Sequence, residues 1–113
     1  MEIYEEIRPW GVFRRFIENC PATVKIIEIR PGQAISLQSH EKRSEFWRII
    51  EGSGKIEIGG QNHLAQTGDE FFISVGQTHR AIASDLGLKM LEIAFGESSE
   101  EDIRRFDDNY GRT

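Results

Sequence analysis

The chain has 113 residues, enough for one domain with a core of its own and too few for two. Nineteen acidic residues against fourteen Lys and Arg give a formal net charge of −5, which argues against nucleic acid and anionic membranes as main partners. No stretch approaches the roughly 18 uninterrupted apolar residues of a membrane-spanning helix, and the acidic start is unlike a signal peptide. The single cysteine, Cys20, cannot form a disulfide within the chain. We therefore expect one domain over residues 1–113, located in the cytoplasm.

Glycine and proline recur along the chain and separate short apolar stretches, which is typical of an all-β sandwich or barrel. The predicted strands, in chain order, are residues 24–30, 34–40, 45–51, 55–58, 71–74, 79–83 and 86–95. Gly59-Gly60 after the fourth strand predicts a tight hairpin, because successive glycines accept the positive φ angles of a type I′ turn. We expect the apolar side chains of these strands to lie in the core or in a subunit interface: Ile35, Leu37, Val75, Leu91, Ile93 and Phe95.

The last part of the chain has a different pattern. Ser98 and Glu101 have the spacing of a capping box, and acidic residues fill the first turn after Ser98. Ile103 and Phe106 then lie three apart, as on one face of a helix. These features predict a short C-terminal helix at about 99–107, packed against the barrel.

Four residues have the spacing of a metal site. On a strand, residues i and i+2 project from the same face, so Gln38 and His40 can converge on one ion. A turn of four residues then brings the Glu45 carboxylate back beside them, and a later strand can bring His79. Two imidazoles, a carboxylate and an amide oxygen suit a divalent transition metal and leave positions open for water or substrate. The alternative is a hydrogen-bonded polar lining that holds no metal.

The same residues resemble the two motifs of the cupin superfamily. Gly32-x5-Gln38-x-His40-x4-Glu45-x6-Gly52 is similar to the first motif, and Gly68-x7-Gly76-x2-His79 is similar to the second. Gln38 stands where the first motif usually has His, and this ligand set is similar to that of phosphomannose isomerases. Arg8-Pro9-Trp10-Gly11 and the segment 101–112 extend the resemblance to the type II phosphomannose isomerase (mannose-6-phosphate isomerase) cupin domain. The resemblance is to that domain alone, without the mannose-1-phosphate guanylyltransferase domain that often precedes it.

The resemblance implies a single-domain cupin, that is, a double-stranded β-helix or jelly-roll barrel. It implies one divalent metal ion, with zinc first and manganese, iron, cobalt or nickel as alternatives. It also implies that mannose 6-phosphate and fructose 6-phosphate are interconverted through an enediolate, with a phosphorylated sugar as the ligand. Because an open sandwich leaves apolar edges to cover, we expect a homodimer. Two other functions stay open: a non-catalytic metal-containing cupin that binds a sugar phosphate or nucleotide sugar, or another metal-dependent cupin enzyme.

An isomerase of this kind also needs a base for the C2 proton. Glu45 is expected on the metal, so Glu41, Lys42 and a hydroxide on the metal are the candidates. Trp47 has the same strand parity as Glu45. It therefore either lines the pocket or belongs to the core.

Basic residues near the ligands are candidates to hold the substrate phosphate, because guanidinium and ammonium groups match its oxygens. They are Arg43, Lys42 and Arg80. Strand alternation disfavours Arg80, which should point away from the barrel if His79 points in. Lys42 and Arg43 lie in the turn at the predicted barrel mouth, so strand alternation does not argue against them.

Overall fold

In the computed structural model, which describes residues 2–99 and 101–112, the chain forms nine β-strands and no helix within those residues. They are β1 (Tyr4–Arg8), β2 (Gly11–Arg15), β3 (Ala22–Ile29), β4 (Leu37–Ser39), β5 (Arg43–Ile58), β6 (Gln61–Gln66), β7 (Glu70–Ile73), β8 (His79–Gly96) and β9 (Arg104–Asp107). The all-β prediction is confirmed. The described part of the chain accordingly contains no helix that could cross a membrane.

The long strands β5 and β8 form the frame of the barrel. They pair twice, Arg43–Gly52 with Leu88–Gly96 and then Gly54–Ile58 with His79–Ala83, with one register shift inside the first stretch and another between the two. β3 and β7 extend the first stretch, whereas β6 and β4 extend the second, and β9 pairs with β4. Each long strand therefore belongs to two walls of the barrel.

The sequence predicts two strands where the structure has one long bent strand, both in β5 and in β8. The interruption in β5 contains Gly54, where a Cβ atom would lie 2.1 Å from the Ile82 carbonyl oxygen. Glycine is required there by a close backbone approach at a bulge, and a bulge bends a strand without ending its pairing. The predicted Gly59-Gly60 hairpin between β5 and β6 is confirmed, with Ile58 opposite Gln61 and both glycines at positive φ.

The core lies between the two walls. Its largest fully buried apolar side chains are Trp47, Ile49, Ile56, Ile73 and Met90. Along the end of β8, buried Met90, Glu92 and Ala94 face this interior, and Leu91, Ile93 and Phe95 lie on the opposite face, where Ile93 is buried and the other two are half-buried. The outer face is thus more apolar than the inner face in this stretch.

The other apolar residues predicted for the core or an interface differ in how deeply they are buried. Ile35 packs against the core and Leu37 is half-buried, while Val75 is 54% exposed. On the outer face, Phe46 is buried beneath Phe16, whose ring centroid lies 4.9 Å away. Phe16 follows the β1–β2 hairpin, an element that the sequence reading did not predict.

The predicted C-terminal helix at 99–107 is wrong. Ser99 does accept a hydrogen bond from the Glu101 N–H, which makes a turn, but the chain then extends into β9 and pairs with β4. Glu100, inside the predicted helix, lies outside the described residues. A nine-residue helix is shorter than the roughly 12–15 residues that even good helix formers need in isolation, so tertiary contacts decide the conformation. Here the unpaired edge of β4 provides them.

Candidate metal centre

Three of the four predicted ligands converge inside the barrel. His40 directly follows β4, Glu45 lies in β5 and His79 begins β8. His40 Nε2 lies 3.5 Å from Glu45 Oε2, and His79 Nε2 lies 3.6 Å from Glu45 Oε1. The three side chains are at most 3% exposed, and one ligand atom from each lies within 4.8 Å of the others. Glu45 and His79 are far apart in the strand register, so they meet across the barrel.

Backbone carbonyls orient both imidazoles. His40 Nδ1 donates to the Asp102 carbonyl over 2.6 Å, and His79 Nδ1 donates to the Gln77 carbonyl over 3.0 Å. Because a carbonyl can only accept, each Nδ1 carries a hydrogen, and in the neutral imidazole Nε2 then has the free lone pair on the side of Glu45. Burial lowers the pKa of His79, which keeps this imidazole neutral. This is the arrangement of metal-ligating histidines, whose second nitrogen donates to a carbonyl or carboxylate.

The donor set fits a divalent metal ion. His79 Nε2 is buried and has no hydrogen-bond partner among the described residues. A buried acceptor without a partner costs about 1–3 kcal/mol, and a cation beside it would remove that cost. Two imidazole nitrogens and a carboxylate oxygen are typical ligands of zinc and of its first-row neighbours.

Gln38, the fourth predicted ligand, lies directly opposite His79 in the β4–β8 pairing. Directly opposed residues project on the same side of a sheet, so Gln38 and His79 share a face. The Gln38 Oε1 atom accepts a hydrogen bond from the Ser36 hydroxyl over 2.9 Å. A carbonyl oxygen has two lone pairs, so this bond leaves one for another partner.

Arg43 and Trp47 contact the three residues directly. Arg43 Nε donates to Glu45 Oε2 over 2.9 Å, and Arg43 Nη2 lies 3.1 Å from His40 Nε2. Trp47 Nε1 donates to Glu45 Oε1 over 3.2 Å, and its ring packs edge-on against His79. Trp47 is fully buried. It is therefore a core residue that also orients a candidate ligand.

The other predicted site residues contact different groups. Glu41 and Lys42 are exposed in the β4–β5 turn, where the Lys42 ammonium lies 3.8 Å from Glu97. Arg80 donates through Nε to the Ile35 carbonyl and through Nη1 to Asp107, each over 3.0 Å. Arg80 therefore secures the C-terminal strand to the barrel.

Asp102 is a positioning residue that sequence reasoning missed. Its carboxylate accepts the backbone N–H groups of Glu41 and Lys42, over 3.0 and 2.9 Å. These bonds lower the Asp102 pKa. Its carbonyl meanwhile accepts from His40, so one residue holds both the turn and the candidate ligand. The predicted helix concealed this role, because a helix would use that carbonyl internally.

Glu92 is the second missed residue. It is 5% exposed on the inner face of the barrel, opposite Trp47 on β5 and Lys25 on β3. Burial, followed by the negative charge of Glu45, raises its pKa to about 7, although Lys25 and Arg43 oppose the shift. The available signal was a carboxylate within the apolar stretch 90–95 of β8.

A large open cavity lies away from the three converging residues. It has a volume of about 930 Å³ and runs between the N-terminal segment and the outer face of β5 and β8, and its lining includes Phe16, Phe72 and Phe95 but none of the three converging residues. We locate the site by its donors, because a metal requires convergent ligands and not a large volume.

Known proteins support this assignment of the fold. The family described as "Mannose-6-phosphate isomerase C-terminal" matches residues 2–108. The xanthan biosynthesis protein XanB of Xanthomonas campestris pv. campestris is 35% identical over 108 residues, 94% of this chain and 23% of that protein. The mannose-1-phosphate guanylyltransferase ManC of Salmonella typhimurium is 33% identical over 110 residues, 96% of this chain and 23% of that protein. The chain thus spans less than a quarter of the length of these relatives.

A solved cupin protein from Bacteroides fragilis superposes with a TM-score of 0.62 at 24% identity, over 72% of this chain and 74% of that chain. This likeness confirms the cupin fold. The family match extends over nearly the whole chain and includes Gln38, His40, Glu45 and His79. The chain therefore belongs to the Mannose-6-phosphate isomerase C-terminal family and is a cupin domain related to the C-terminal region of mannose-1-phosphate guanylyltransferases.

Proposed function

We propose that this domain is a metal-dependent isomerase that interconverts mannose 6-phosphate and fructose 6-phosphate. The observation that carries the proposal is the buried convergence of His40, Glu45 and His79, with both Nε2 lone pairs directed at one carboxylate. The family of the chain supports the choice of substrate. The names of relatives such as the xanthan biosynthesis protein also favour a role in polysaccharide biosynthesis.

The residues of this chain would hold the ion and keep the centre dry. His40, Glu45 and His79 are the proposed ligands, with Gln38 as a fourth on the same face as His79. A divalent ion bound there would polarise the sugar oxygens at C1 and C2 and stabilise the negative charge of the enediolate. Trp47 restricts the Glu45 carboxylate through its indole N–H and shields it from water.

The reaction also requires a proton to move between C1 and C2 and a site for the phosphate. Glu41 and Lys42 stay the proposed groups for proton transfer, since their turn connects His40 to Arg43 at the edge of the centre. Arg43 and Lys42 are the proposed phosphate residues. Arg80 would have to exchange its bonds to Ile35 and Asp107 to serve the same purpose.

The experiment is proton NMR of mannose 6-phosphate in D2O. The purified protein is stripped with EDTA and reconstituted separately with zinc, manganese, iron, cobalt or nickel. We expect fructose 6-phosphate to appear, or deuterium to enter at C2, only with metal. The reaction should be lost in His79→Ala and kept in His63→Ala, a matched control because His63 is exposed on β6.

A spectrum that stays unchanged with every metal would contradict the isomerase. Isothermal titration of the metal-loaded protein with mannose 6-phosphate and with a guanosine diphosphate sugar would then test the binding function. Turnover that consumes oxygen would instead support another metal-dependent cupin enzyme.

We also propose that two copies form a homodimer along β3. The structure pairs β3 with β8 on one side only among the described strands. Val24 and Ile26 on its outer face are about 60% exposed, beside half-buried Leu91 and buried Ile93 on the same face. An open strand edge next to an apolar face favours pairing with a second copy. Light scattering of the wild type and of Ile26→Lys tests this: the dimer should become a monomer, and a monomeric wild type would refute it.

A further inference from the structure

The guanidinium of Arg43 lies within the candidate metal centre. Its side chain is 8% exposed at the start of β5. Nε donates to Glu45 Oε2, Nη2 donates to His40 Nε2, and Nη1 donates to the Ser99 carbonyl over 3.3 Å. Two of these three bonds use atoms that the proposed ligands would offer to an ion.

The bond to His40 excludes simultaneous coordination by the same atom. The Asp102 carbonyl fixes the hydrogen of His40 on Nδ1, so Nε2 has a single lone pair in the plane of the ring. That lone pair can accept from Arg43 or bind a metal, but not both. A metal on His40 therefore requires Arg43 Nη2 to leave.

The charges lead to the same conclusion. The carboxylate of Glu45 is 1% exposed, and a buried carboxylate needs a cation or several donors beside it. Arg43 supplies a single positive charge through a bond of 2.9 Å. A divalent ion on the same oxygen would supply the compensation itself and would repel the guanidinium.

We infer that Arg43 is the resident counter-cation of the metal-free centre and that it exchanges with the metal. In the metal-free protein, Arg43 stabilises Glu45 and occupies the lone pair of His40. Metal binding displaces Arg43 from both atoms, so the measured metal affinity is reduced by the free energy of breaking these bonds. The inference rests on the metal site proposed above and does not depend on the isomerase reaction.

The test compares zinc affinity and stability in three EDTA-stripped proteins: wild type, Arg43→Met and Arg48→Met. Methionine keeps the apolar bulk of the arginine stem without its charge. Arg48 is the matched control, because it is also an arginine of β5 but pairs with Glu70 on the outer face. Calorimetric titration should give zinc affinity about 10- to 100-fold tighter in Arg43→Met, since two charge-assisted bonds no longer have to break. Arg48→Met should stay within about twofold of the wild type.

Unfolding measurements distinguish exchange from a general loosening of the site. Metal-free Arg43→Met should unfold at lower urea than the metal-free wild type, and zinc should remove most of that difference. If Arg43→Met only loosened the packing of the site, it would weaken zinc binding and lower the stability of the protein at the same time.

Side-chain nitrogen NMR tests the inference in the wild type even if Arg43→Met fails to fold. The Arg43 Nε–H signal, assigned by its loss in Arg43→Lys, should shift as zinc is added, while the Arg48 signal should not. An Arg43 signal that is unchanged at saturating zinc would overturn the exchange.

The outcomes separate this inference from the metal site itself. Equal zinc affinity in the wild type and Arg43→Met would refute the exchange and leave the metal site standing. Zinc binding by Arg43→Met alone would also overturn the exchange, because Arg43 would then block the wild-type centre and not yield to the metal. Absence of zinc binding in all three proteins would refute both proposals.

Discussion

The buried carboxyl of Glu92 leads to a prediction about stability and pH. Folding raises its pKa from 4.5 to about 7, mainly because the charged form is desolvated between the barrel walls. The folded state then binds this proton more tightly than the unfolded state does. The contribution to stability is therefore complete below pH 4.5, is lost as the pH rises from there to 7, and is constant above that range.

The magnitude follows from these two pKa values. Ionised Glu92 costs the folded protein about 3 kcal/mol at high pH, since each pH unit between 4.5 and about 7 is worth 1.36 kcal/mol. Part of that cost is already present at pH 5. The gain in unfolding free energy from Glu92→Gln should thus be roughly 2 to 3 kcal/mol larger at pH 8.5 than at pH 5.

Urea unfolding of the EDTA-stripped wild type and Glu92→Gln at pH 5 and pH 8.5 measures this difference. The metal must be absent, because a cation on Glu45 would also favour ionised Glu92. The control is Glu51→Gln, whose carboxylate is 75% exposed and lies 3.7 Å from Lys89, so its effect should change little between the two pH values. A gain from Glu92→Gln that is the same at both pH values would refute the assigned proton uptake.

Three further substitutions test the close backbone approach in β5, the hydrogen bonds that hold the turn beside His40, and the role of Arg80. Gly54→Ala places a Cβ atom 2.1 Å from the Ile82 carbonyl oxygen, so we expect a loss of about 3 kcal/mol or more; an unchanged urea midpoint would contradict the close approach. Asp102→Ala frees the turn beside His40 and should weaken zinc binding about 10- to 100-fold by calorimetry, while Asp107→Ala, the control in the same segment, should not. Arg80→Ala should change the affinity for mannose 6-phosphate less than about twofold, because its guanidinium is already bonded within the fold; a tenfold loss would place Arg80 at the phosphate.

Much of the barrel could be predicted from the sequence, because its signals are local. Alternation places residues i and i+2 on one face, and Gly59-Gly60 specifies a tight turn wherever the hairpin lies. The same alternation placed Gln38 and His40 on one face, and the spacing of the chain together with the resemblance added Glu45 and His79. That His40, Glu45 and His79 are buried together is the part of the candidate site that followed from spacing and resemblance.

The C-terminal segment shows where local signals fail. Ser99 and Glu101 form a turn, yet the residues after them form β9, because β4 offers an open strand edge for pairing and a helix this short is not stable by itself. The role of Asp102 follows from that pairing. It depends on contacts between residues about 60 positions apart, which no local pattern reports.

Tertiary structure also decided which face of β8 is the interior. By composition, Leu91 and Ile93 favour the interior over Glu92, but the register with β5 sets Glu92 beside Trp47 and places the apolar pair on the outer face, where Ile93 is buried and Leu91 is half-buried. The register is a property of the whole sheet, and a shift of one residue would reverse every side chain in the strand. By itself the sequence determined most strands of the barrel, the Gly59-Gly60 hairpin and the shared face of Gln38 and His40. Only the closed barrel decided that Glu92 and Arg43 share their interior, because those contacts form between walls that meet after the chain has folded.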